Sequence, residues 1–75
     1  MVNTLKRFDS MAKAGRRVLL AIISKYGYTT PSMPDMKLAE SLGIPQQTCS
    51  IGLRELKKAG FLVEEGYKSY RVILN

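Results

Sequence analysis

Gln46, Gln47, Thr48, Ser50 and Arg54 stand close together in "IPQQTCSIGLRELKKAG". Amides, hydroxyls and one guanidinium offer directed hydrogen bonds. They do not offer general acid–base or nucleophilic chemistry. The stretch Pro45-Gln46-Gln47-Thr48-Cys49-Ser50 is polar yet carries no charge, in a chain of net charge +6. Elsewhere the residues for catalysis are missing. There is no histidine and no glycine-rich phosphate loop, and Glu64 and Glu65 are neighbours in a strand-like run. Adjacent strand residues point to opposite faces, so these two cannot form a carboxylate pair in a regular strand. No enzyme activity is therefore expected, and no catalytic residue is assigned.

Cys49 is the only cysteine. An intramolecular disulfide is impossible, which fits a reducing, cytoplasmic setting. One thiol and scattered carboxylates are a poor zinc set, so no metal and no other cofactor is expected. As a small hydrophobe, Cys49 is expected in the core.

Length and charge narrow the classes further. Seventy-five residues make one domain with a small core. A hydrophobic content of 45% is too high for disorder. Twelve basic residues against six acidic ones favour a polyanionic partner, either nucleic acid or an anionic membrane. The longest apolar run, Val18 to Ile23, is too short to span a bilayer, and the first residues lack the apolar core of a secretory signal.

The elements that must hold the polar stretch can be read from periodicity. From Thr4 to Tyr26, the residues Leu5, Phe8, Met11, Ala12, Gly15, Val18, Leu19, Ile22, Ile23 and Tyr26 share one helical face. One long helix satisfies the pattern, and so do two helices broken near Ala14-Gly15. Leu20 falls off that face. Gly27 suits a left-handed cap, and Tyr28-Thr29-Thr30 reads as a short edge strand cut by Pro31. Ser32 is expected to cap a second helix, with Asp35 three residues on and Pro34 in the first turn. Leu38, Ala39 and Leu42 give that helix its stripe, and Gly43 ends it. A third helix is expected from Gln46 to Ala59, with Cys49, Gly52, Leu53 and Leu56 inward and Gly60 as its stop. "FLVEE" and "YRVILN" then read as two strands around Gly66-Tyr67-Lys68-Ser69.

The pattern Leu38-Ala39-x-x-Leu42-Gly43-Ile44-Pro45-x-x-Thr48-Cys49, followed by Leu53-x-x-Leu56-x-x-x-Gly60-Phe61-Leu62, resembles the winged helix-turn-helix of GntR-, MarR- and IclR-type bacterial regulators. The expected fold class is α+β: a three-helix core plus a C-terminal β-hairpin wing. The resemblance covers residues 16–75 as the DNA-binding domain, with residues 1–15 as a basic amphipathic helical extension. Where GntR-type proteins commonly carry arginine, this chain has Gln46 and Ser50. No effector domain is apparent, and no small-molecule effector is expected.

The resemblance implies that the third helix enters the major groove of double-stranded DNA. Gln46, Gln47, Thr48, Ser50, Ile51 and Arg54 would then read bases. Glutamine can pair with adenine N6/N7, serine or threonine with either base, and an apolar side chain can meet a thymine methyl. Arg54 can reach guanine or a phosphate. Neutral groups suit this task, because lysines hold phosphates but carry little sequence information. Arg16, Arg17, Lys37, Lys57, Lys68, Ser69 and Arg71 are the expected backbone and wing contacts. Residues 1–17 alone supply +4 of the net +6.

Leu5, Phe8, Met11 and Leu20 are the candidate dimerisation residues, since a small core gains from a homodimer. The extension can equally brace the domain; a membrane-surface role is the weakest reading, because packing accounts for its apolar residues. The function expected is a small transcriptional regulator that represses by promoter occlusion. An architectural, replication or partition DNA-binding protein of a mobile element, or a winged-helix protein–protein module, are the other classes the same fold serves.

Overall fold

The computed structural model describes residues 13–74. Helix α1 is described over Lys13–Lys25. Gly15, Val18, Leu19 and Ile22 are its buried residues. Their spacing of three and four is the helical repeat that puts them on one face. The helix runs through Gly15 without a break. Gly27 ends the turn after α1 at φ 84°, its N–H donating to the carbonyls of Ile22 and Ile23 at 3.1 Å each.

Helix α2 spans Asp35–Leu42. Ser32 does not cap it. Pro34 occupies the cap position with extended backbone and no side-chain cap bond. Proline disfavours helical geometry in the residue before it, so Met33 cannot open the helix and the start moves past Ser32. Asp35 becomes the first helical residue, where a carboxylate suits the dipole. The hydroxyl of Ser32 instead donates to the Tyr67 carbonyl.

Gly43 closes α2 at φ 69°, and the Ile44 N–H donates to the Ala39 carbonyl at 3.0 Å. Only glycine adopts that backbone cheaply. Ile44 is buried against both helices' core residues, and Pro45 leads directly into helix α3, Gln46–Ala59. Cys49, Gly52, Leu53 and Leu56 are the buried side of α3.

Gly52 sets how close α1 and α3 come. A Cβ there would lie 2.4 Å from Val18 Cγ2 and 2.7 Å from the Ala14 carbonyl oxygen. The two helices therefore touch backbone to backbone at this point.

The chain returns through Gly60 (φ 85°) into β1, Leu62–Glu64, and then β2, Tyr70–Val72. The strands are antiparallel, with Leu62 opposite Val72, Val63 opposite Arg71 and Glu64 opposite Tyr70. The expected strand at Tyr28–Thr30 is a single bridge, Thr29 to Arg71, on the other side of β2. Two hydrogen bonds support it, Thr30 N–H to the Tyr70 carbonyl (2.9 Å) and Val72 N–H to the Tyr28 carbonyl (2.8 Å). Leu62, Tyr70 and Val72 turn inward and join Val18, Leu19, Ile22, Leu38, Leu53, Leu56 and Phe61 in one core. The result is an α+β arrangement of three helices and an antiparallel hairpin, a layout compatible with a winged helix. No described helix is long and apolar enough to cross a membrane.

Candidate functional site

With Cys49, Gly52, Leu53 and Leu56 inward, the opposite side of α3 faces solvent. Gln46, Gln47, Ser50, Ile51 and Arg54 line one open, shallow depression there. Ile51, Arg54, Glu55 and Lys58 line the adjoining one. Gln46, Gln47 and Arg54 are exposed, while Ser50 and Ile51 are half-buried. Helical spacings of three and four bring them together. Thr48 is half-buried and lines neither depression. Pro45 caps α3 without a side-chain bond. Among the described residues, no hydrogen bond or ion pair engages the side chains of Gln46, Gln47, Ser50 or Arg54. The first depression contains no carboxylate, so the surface is a set of neutral donors and acceptors beside one cation.

Cys49 lies behind this surface in the core. Burial, assisted by the negative charge of Asp35, pushes its thiol up to about 11. It stays protonated at neutral pH and is a packing group. Glu55 is a lining residue that the sequence pattern does not single out. Its position one turn from Ile51 is the available signal.

The basic residues expected at the DNA backbone and wing divide into two groups. Arg17 and Lys37 are exposed and Arg16 is half-buried; none has an ion pair with a described carboxylate. The cations near the hairpin are all paired. Lys57 Nζ lies 3.7 Å from Glu64 and 5.6 Å from the centre of the Tyr70 ring. Lys68 lies 3.9 Å from Asp35, and Arg71 lies 3.2 Å from Glu65. Glu64 and Glu65 thus serve different partners.

Ser69 is also occupied. Its hydroxyl donates to the Thr30 carbonyl at 2.7 Å. The turn before it is held by the Lys68 N–H, which donates to Glu64 Oε2 at 3.1 Å and fixes Lys68 at φ 57°. Tyr70 ties the hairpin to α2: its ring is buried and its hydroxyl donates to Asp35 Oδ1 over a long 3.5 Å. Burial first, and then Asp35, raise this phenol to about 12. Tyr67 projects from the turn, 72% exposed. The junction around Asp35 cannot be read from periodicity, because it joins residues 35 positions apart.

Of the candidate dimerisation residues, Leu20 is exposed on α1. Leu5, Phe8 and Met11 lie outside the described residues. No protein-family model, no curated protein and no solved structure matches this chain.

Proposed function

We propose that this chain is a winged helix-turn-helix protein that binds double-stranded DNA sequence-specifically, with α3 in the major groove. The observation that carries the reading is the outer face of α3, where Gln46, Gln47, Ser50, Ile51 and Arg54 share one open surface, their polar side chains uncommitted among the described residues. The major groove presents hydrogen-bonding edges that amides, hydroxyls and guanidinium groups can tell apart. Arg16, Arg17 and Lys37 supply attraction to phosphate. Lys68, Ser69 and Arg71 would join only if DNA displaced their present partners. The biological role we propose is transcriptional repression by occlusion of a promoter, by a homodimer on a palindrome with half-sites about one helical turn apart.

The test is selection of the full chain against a randomised duplex pool, followed by sequencing. One enriched motif supports base reading, and a palindrome supports the homodimer. Binding without enrichment would replace the regulator with an architectural protein. Failure to bind any duplex would leave a protein–protein module as the reading. On the enriched site, Gln47→Ala should weaken binding by about 1–3 kcal/mol and relax the preference at one position. Full affinity in that variant removes Gln47 from the reading surface.

A further inference from the structure

The hairpin carries a charge pattern that its sequence does not announce. Three cations that would face a polyanion, Lys57, Lys68 and Arg71, each sit against a carboxylate, Glu64, Asp35 and Glu65 respectively. These are the only ion pairs among the described residues. The cations on α1 and at the start of α2, Arg16, Arg17 and Lys37, have no such partner among the described residues. Neutralisation is therefore confined to the hairpin and its junction with α2 and the end of α3.

Resting on the DNA-binding reading, we propose that Glu64, Glu65 and Asp35 are specificity-determining residues. They mask Lys57 at the end of α3 and Lys68 and Arg71 on the hairpin, so that this side of the molecule adds little sequence-independent attraction and the duplex is held only where the outer face of α3 finds its bases. Non-specific affinity grows with each phosphate neutralised and contributes nothing to discrimination. A bare Lys68 and Arg71 would strengthen binding to every sequence alike. Paired, they must first give up a carboxylate, which then faces phosphate. Exposed pairs of this kind are weak, so the mask is one that a well-fitted site can displace and a poorly fitted one cannot. Glu64 has a second task, since its other oxygen accepts the Lys68 N–H and shapes the turn.

The test compares the full chain with Glu65→Gln and Glu64→Gln. Glutamine removes the charge and retains an acceptor for the Lys68 N–H. Asp35 is left intact, because it also accepts the Tyr70 hydroxyl. Glu40→Gln is the control: it changes net charge by the same amount at an exposed carboxylate with no described ion pair. Binding is measured over a range of salt, on a random-sequence duplex and on the enriched duplex. Each wing variant should bind the random duplex up to about fivefold more tightly. Its plot of log K against log salt should steepen by about 0.9. The ratio of specific to random binding should fall. Glu40→Gln should leave the slope as it was. Unchanged slopes in both wing variants would overturn the proposal, and so would equal steepening in Glu40→Gln, which makes the effect one of net charge. If the unaltered chain binds no duplex, the DNA-binding reading falls and takes this one with it. If it binds and the wing variants match it, this one falls alone.

Discussion

At Gly52 one missing methyl decides how two helices meet. Alanine is normally the better helix residue by ~1 kcal/mol. Here its Cβ would press on Val18, whose branched side chain has little rotamer freedom, and on the Ala14 carbonyl, which cannot yield unless α1 moves. Overpacking of this kind costs typically about 1–3 kcal/mol, more where backbone is involved, and should outweigh the helix gain. Gly52→Ala is expected to lower stability by about 2 kcal/mol, a fall of roughly 10 °C in Tm for a chain this small. A Tm at or above that of the parent would mean that the helices are not in backbone contact. Cys49 and Tyr70 give a second expectation at this scale. Both hold their protons more tightly when folded, up to about 11 and about 12. Their ordinary values are 9.0 and 10.0. Below pH ~9 both are protonated in folded and unfolded chain alike, and their stabilising effect is fully present. As pH rises through the window up to the folded values, the unfolded chain loses these protons first, so stability falls. The urea midpoint should decline across this range, and less steeply between about pH 9 and 11 in Cys49→Ala. Parallel declines would rule the thiol out as a contributor.

The hairpin shows what an element needs beyond its own residues. Two strands of three residues are too short to be stable alone. Tyr70 is buried in the core, and its N–H faces away from β1, toward Thr30 Oγ1 at 3.0 Å. Thr30 is the one buried polar residue in the described chain, and this bond accounts for it. Thr30→Val keeps the shape and removes the acceptor. It should cost about 1–3 kcal/mol, the penalty for an unpaired buried amide. The Tyr70 amide should also exchange with solvent faster than in the parent. Unchanged protection of that amide would show that the bond does not hold the hairpin. This bond also marks the limit of what the sequence conveys. α3 is legible to its last residue, because the Cys49, Gly52, Leu53 and Leu56 stripe and Gly60 are local signals. The outer surface of α3 follows from the same stripe, as its complement. The start of α2 is misplaced by the capping pattern that Ser32 satisfies, because the restriction that Pro34 places on Met33 acts more strongly. The strap from Thr30, Ser32 and Asp35 to the hairpin depends on residues distant in the chain, and no periodicity encodes it.

Across the whole molecule, the cations differ in whether a carboxylate covers them. α3 presents neutral groups beside Arg54, the hairpin presents paired charge, and the other cations without an ion pair among the described residues lie on α1, at the start of α2 and toward the end of α3. The excess of basic residues in the composition therefore overstates what the hairpin offers a polyanion. For a random-sequence duplex, on which the hairpin pairs stay closed, the salt dependence should come from the helices. Lys37→Gln should flatten the plot of log K against log salt by about 0.9, because one fewer phosphate is neutralised. Arg71→Gln should change it by much less, because the arginine is already 3.2 Å from Glu65 and its removal frees a carboxylate as it removes a cation. Measuring both slopes on one duplex separates these cases. Equal flattening in the two variants would mean that Arg71 reaches phosphate in the complex and that its pair with Glu65 opens on binding. A slope untouched by Lys37→Gln would take the start of α2 off the phosphate backbone and leave the attraction to Arg16, Arg17 and Arg54.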